Sequence, residues 1–105
     1  MHICQEDANN ITFELDENLT FDDHRSFREL IANALNNKKG VVFNCQKLMY
    51  IDSAGLGMLL LAKHETEKFG KTAAIHGAQG TALELLKTVA FDQHFYMHDT
   101  VQRDG

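Results

Sequence analysis

Proline and tryptophan are absent from this chain of 105 residues, cysteine occurs only twice, and basic residues never cluster beyond the pair Lys38-Lys39. With 44% hydrophobic and 24% charged residues, the composition is that of a globular chain and not of a disordered one. The length is that of one domain, expected over 1–105, and is sufficient to bury a core without metals or bridges. A net charge of −5 with dispersed Lys and Arg leaves no electrostatic footprint for nucleic acid or anionic lipid. No apolar run approaches the ~20 residues of a membrane span, and Met1 to Asp7 lacks the basic and apolar regions of a secretion signal. No membrane insertion and a cytoplasmic location are therefore expected. Cys4 and Cys45 lack CxxC spacing and are expected to be reduced, mostly buried thiols.

The periodicity that is present defines the elements. Ile11, Phe13 and Leu15 alternate with polar residues, as in a half-buried strand; Met1 to Gln5 is its expected hairpin partner across the turn formers Asp7 to Asn10. Phe27, Leu30, Ile31, Ala34 and Leu35 form the stripe of an amphipathic helix, with Thr20, Asp22 or Asp23 as its cap and Asn36, Asn37 and Gly40 at its end. Gly40 to Cys45 is continuously apolar, which predicts a strand covered on both faces. A second helix runs from Ser53 through Phe69 to a stop at Gly70, and its front half, apolar nearly all round, is expected to be the more buried. Thr72–His76 reads as a strand, Ala82, Leu85, Leu86 and Val89 as one face of a third helix, Phe95–Met97 as a last strand and 99–105 as a polar, frayed end. The order ββαβαβαβ predicts an α/β sandwich with a mixed, mostly parallel sheet of about five strands and three to four helices.

Few stretches carry chemistry. Gly70-Lys71-Thr72 mimics the end of a P-loop, but the required upstream glycine is replaced by Glu65 inside a helical run. His94 and His98 have the i, i+4 spacing of helical metal ligands in a segment that reads as strand, so no metal and no cofactor are expected. Ser53 lacks the G-x-S-x-G turn of a hydrolase, and no catalytic set assembles, so an enzyme is not expected.

One stretch remains: Asp52-Ser53-Ala54-Gly55-Leu56-Gly57, leading into Met58-Leu59-Leu60. Capping by Asp52 or Ser53 explains its start, but two glycines in the first turns each cost a helix ~1 kcal/mol relative to Ala, so something should approach this end closely. The stretch, the strand Val41-Val42-Phe43-Asn44 before it, the link Leu48 to Ile51 and the order of elements resemble the STAS domain family, in particular its anti-sigma-factor antagonists.

That resemblance implies a STAS-like sandwich and a binding module switched by phosphorylation. Ser53 would be the phosphoacceptor of a serine protein kinase that is also the anti-sigma factor, with a PP2C-type phosphatase removing the phosphate. The unphosphorylated form would bind that partner and so free a sigma factor. The resemblance carries partner contact to Asp52, Ala54, Gly55, Leu56 and Gly57, with Asn44 as a polar neighbour of Ser53. Glu17-Asn18-Leu19-Thr20 departs from the family turn by placing Thr20 where an acid is expected, and Asp22 and Asp23 follow one turn later. The alternative within the same resemblance is a cytoplasmic subunit of a lipid-transport permease complex, which would not depend on a phosphoacceptor.

Overall fold

The computed structural model describes residues 1–88 and 96–98. Its elements are β1 (His2–Glu6), β2 (Asn10–Glu14), β3 (Asn18–Leu19), a 3-10 turn (Phe21–Asp23), α1 (His24–Asn36), β4 (Gly40–Asn44), β5 (Tyr50–Ile51), α2 (Ser53–Glu67), β6 (Ala73–His76), α3 (Gly80–Thr88) and β7 (Tyr96–His98). The expected positions of Val89, His94 and Phe95 and the segment 99–105 lie outside the described residues.

The main sheet has the order β1-β2-β4-β6-β7. The β1–β2 pair is antiparallel and the other three pairs are parallel. The expected hairpin forms because Asp7 Oδ1 accepts the N–H groups of Asn9 and Asn10, both at 2.8 Å. Those two bonds also hold the Asp7 carboxyl below the usual carboxylate range. Each later strand is parallel to its predecessor because a helix returns the chain across the sheet.

Alternation along the strands decides where the core sits. Ile11, Phe13, Leu15, Val41, Phe43, Cys45, Ala73 and Ile75 join one buried cluster with Phe27, Ile31 and Ala34 of α1, Leu59 and Ala62 of α2, and Ala82 and Leu86 of α3. All three helices therefore cover the same face of the sheet. Phe43 lies at the centre, its ring 5.9 Å from those of both Phe13 and Phe27. The opposite face carries Thr12, Glu14, Val42 and Asn44, all half-buried, so β4 is not the doubly covered strand that its apolar run suggested. Val42 supplied that misleading signal: its branched side chain suits a strand on either face.

Helix α1 ends through Lys38, the only non-glycine residue with a positive φ among the described residues, so the left-handed position falls two residues before the anticipated Gly40. Gly40 is instead buried, and a Cβ there would stand 2.5 Å from Asn10 Oδ1. Helix α2 buries Gly55, Met58 and Leu59 in its front half, which is the more buried as expected, and Ala62 and Thr66 carry the buried stripe into its charged half. Thr66 is accommodated because its hydroxyl donates to the Ala62 carbonyl at 2.9 Å. Gly70, with φ +76°, closes the turn after the helix. Among the described residues no helix is long and apolar enough to cross a membrane.

The two cysteines differ. Cys45 is buried, but Cys4 is exposed, because the β1–β2 register shifts between Ile3 and Gln5 on an edge strand that only the β2 side covers. Burial pushes the Cys45 thiol up to about 12. A thiol alkylating agent at neutral pH should therefore add one adduct to the native protein, at Cys4, and a second only after denaturation. Two adducts on the folded chain, read by intact mass, would contradict this.

Candidate functional site

The site is built where two short segments leave the main sheet. Asn18 pairs with Tyr50 and Leu19 with Ile51 in a two-stranded parallel ribbon. The Glu17 carbonyl accepts the N–H groups of Met49 at 2.7 Å and Tyr50 at 3.0 Å, and the Leu19 carbonyl accepts that of Asp52 at 3.2 Å. Alternation in strands this short still sorts the side chains: Leu19 and Ile51 point into the core, while Asn18 and Tyr50 face outward.

Asp52 then caps α2. Its backbone is extended, with φ −96° and ψ −179°, and its Oδ1 accepts the Gly55 N–H at 2.7 Å. The other carboxylate oxygen, Oδ2, accepts the Phe21 N–H at 3.1 Å. One half-buried carboxylate thus holds two helix starts, that of α2 and that of the 3-10 turn. Asp23 secures the same turn from its other end, with Oδ2 accepting the Thr20 N–H at 2.9 Å and its own N–H donating to the Thr20 carbonyl at 2.9 Å. Thr20, Asp22 and Asp23 are therefore drawn to the site, with Asp22 exposed and the other two half-buried.

Ser53 is the first residue of α2 and is exposed. Gly57 follows it by one turn on the same exposed face, and Leu61, 43% exposed, by two. The two glycines play unlike parts. A Cβ on Gly55 would lie 2.4 Å from the Leu19 carbonyl oxygen and 2.7 Å from Ile51 Cγ1, so the close approach expected at this residue is made inside the fold. A Cβ on Gly57 would meet nothing within 4 Å. Ala54 and Leu56 are half-buried on the flanks of the helix, with Leu56 packed against the core cluster.

Asn44 is set apart from this group. It follows the buried Phe43 and precedes the buried Cys45, so alternation turns it to the uncovered sheet face, in register with Glu14 and His76. There its Oδ1 accepts the Gln46 N–H at 3.0 Å, and it is not a hydrogen-bonding neighbour of Ser53.

Three residues outside the expected contact set flank the site, two of them, Met49 and Tyr50, from the link Leu48 to Ile51. Phe21, at the start of the 3-10 turn, and Met49, just before the ribbon, are each 63% exposed, and Tyr50, in the ribbon, is 50% exposed. Phe21 is held off the core by stacking on His24, with ring centroids 4.9 Å apart at 16°. Beside them lies an open depression lined by Asp16, Glu17, Asn18, Thr20, Asp22, Asp23 and a single base, Lys47. A hydrogen bond from the Met1 amine holds the Asp16 carboxyl below its usual range. Among the described residues no group of three or more His, Cys, Asp or Glu side chains could hold a metal ion.

Known proteins share this framework. The anti-sigma factor antagonist SpoIIAA in its unphosphorylated form aligns with a TM-score of 0.77 at 18% identity, over 95% of this chain and 88% of that one. An anti-sigma-factor antagonist (STAS) domain protein from Planctomyces limnophilus gives 0.80 at 11% identity, over 95% and 92%. A sulfate transporter family protein from Wolinella succinogenes gives 0.75 at 15% identity, over 88% and 78%. At such identities these likenesses speak for the fold. The profile of the STAS domain matches residues 3–103, and the chain therefore belongs to the STAS domain family.

Proposed function

We propose that this chain is an anti-sigma-factor antagonist, a cytoplasmic binding module and not an enzyme, whose docking face is switched at Ser53. In the unphosphorylated state the face would bind an anti-sigma factor that is also a serine protein kinase, and so free a sigma factor. Phosphorylation would release that partner, and a PP2C-type phosphatase would restore binding. The kinase step forms a bond from Ser53 Oγ to the terminal phosphorus of a nucleoside triphosphate, expels the diphosphate and gives up the hydroxyl proton.

The observation that carries this reading is Gly57. A glycine inside a helix costs about 1 kcal/mol relative to Ala, and no internal neighbour requires one there. A surface that must come close to α2 does require it, and the same helix face holds the exposed Ser53. Phe21, Met49 and Tyr50 supply apolar anchors of the kind that dominate interface energies.

The electrostatics give the switch its sign. A phosphate adds ~1.5–2 negative charges beside Asp52, on a chain already at −5. The start of α2 tolerates an anion, because its free N–H groups and dipole favour one, so the fold is little affected. Desolvating that charge against a partner is opposed, and a coupling of ~1–3 kcal/mol changes affinity ~5–150-fold. Pull-down and titration of the parent, Ser53→Ala and Ser53→Asp against the candidate kinase test this. Ser53→Asp should weaken binding within that range with an almost unchanged melting temperature, and binding as tight as the parent's would overturn the reading.

The family resemblance leaves a second reading, a STAS subunit of a lipid-transport permease complex; a sulfate transporter family protein shares the fold. That reading predicts association with a membrane protein that is indifferent to all three Ser53 variants.

A further inference from the structure

We propose that Asp52 transmits the state of Ser53 to Phe21, so that phosphorylation reshapes the docking face in addition to charging it. This rests on the reading of Ser53 as the phosphoacceptor. The carboxylate of Asp52 is shared between two donors, Gly55 N–H at 2.7 Å and Phe21 N–H at 3.1 Å, the second from a residue 31 positions away in the chain. Phe21 opens the 3-10 turn, so its N–H has no partner within that turn and relies on Oδ2 of Asp52. The other end of the turn is secured independently by Asp23 and Thr20. The N–H of Phe21 is thus the one group of the turn that depends on Asp52, while its carbonyl and ring are held by His24.

A phosphoryl group on Ser53 enters that shared arrangement directly. Its oxygens reach for the N–H groups of the first turn of α2, Ala54 and Gly55, the donors a helix start offers an anion. Gly55 N–H is the donor that Asp52 Oδ1 now holds. The dianion both competes for that donor and repels the carboxylate next to it. Asp52 gives way, its longer bond to Phe21 N–H opens, and Phe21, still bonded through its carbonyl to His24 N–H and stacked on the His24 ring, loses its N–H tie to the start of α2. The base of the site stays put, because Asp52 N–H remains on the Leu19 carbonyl and Leu19 lies against Gly55. An apolar anchor that is no longer preorganised binds more weakly, because a partner must order it again.

Amide hydrogen exchange measured by NMR on the full chain tests this without any partner. The unmodified protein is compared with protein carrying phosphoserine incorporated at position 53 during translation. Phe21 N–H should exchange about tenfold faster in the phosphorylated form, while Asp23 N–H and Asp52 N–H, bonded to backbone carbonyls, stay within about twofold. In Asp52→Ala, Phe21 N–H should exchange fast already and phosphate should add nothing. Should that variant not fold, Asp52→Asn, which keeps one acceptor oxygen, should still show a smaller response than the parent. Unchanged or slowed Phe21 exchange on phosphorylation overturns the proposal. If partner binding is still lost in that case, the coupling alone falls and the phosphoswitch stands; if binding is also indifferent to phosphate, both fall.

Discussion

Phe43→Ala is expected to cost the fold about 3–5 kcal/mol, the range for truncating a fully buried aromatic. Phe43 is 0% exposed on the central strand of the sheet, and its ring stacks on Phe13 from β2 and on Phe27 from α1. Each such aromatic pair contributes roughly 0.5–1.5 kcal/mol beyond the area it buries. The cavity left behind would be bordered by both the sheet and the helix layer, and neither can collapse into it without losing register. A domain of this size has only about 5–15 kcal/mol of stability, so the variant should be near its unfolding midpoint under mild denaturant. Urea titration should show the midpoint falling sharply with an unchanged slope. A loss below about 1 kcal/mol would mean that the core is not organised around this ring.

Gly55→Ala and Gly57→Ala, two positions apart on one helix, are expected to move stability in opposite directions. At Gly55 the new methyl would have to displace the Leu19 backbone, which strand pairing and the bond to Asp52 N–H hold in place. Overpacking against backbone that cannot yield costs about 2–3 kcal/mol. Leu19 also leads into the turn bearing Phe21, so partner affinity should fall as well. At Gly57 the methyl enters open space, and the gain in helix propensity should stabilise the fold by up to about 1 kcal/mol. If the docking face lies over α2, Gly57→Ala nonetheless weakens partner binding. Thermal melts together with the pull-down separate the two effects, and a Gly55→Ala protein as stable as the parent would remove the packing argument.

Much of this was legible before any coordinates. The period of Ile11, Phe13 and Leu15, the stripe from Phe27 to Leu35 and a cap by Asp52 or Ser53 follow from side-chain chemistry acting locally, and the elements they define are present, with Asp52 as the cap. What escaped was set by tertiary placement. Strands of two residues, such as β3 and β5, have no periodicity to detect, and they exist only because each supplies the other's hydrogen bonds. Without that ribbon there was no reason to bring Phe21, Met49 and Tyr50 to the site. Hydrophobicity alone argued for burying them, yet they are exposed. The internal role of Gly55 was hidden for the same reason, since the Leu19 carbonyl that forbids a side chain there comes from a distant segment. Asn44 differs: its flanking residues Phe43 and Cys45 both demand the core, so its outward direction could have been inferred from strand alternation.

The β3–β5 ribbon also governs when the site exists at all. It joins residues 18–19 to 50–51 across α1 and β4, so its closure waits until those intervening elements have found their places. Phe21 is therefore brought to Asp52 and Ser53 only in a chain whose α1 and β4 are in place. Under the proposed function, a partner reading Phe21 together with Asp52 and Ser53 would discriminate against copies of the chain in which this ribbon has not closed.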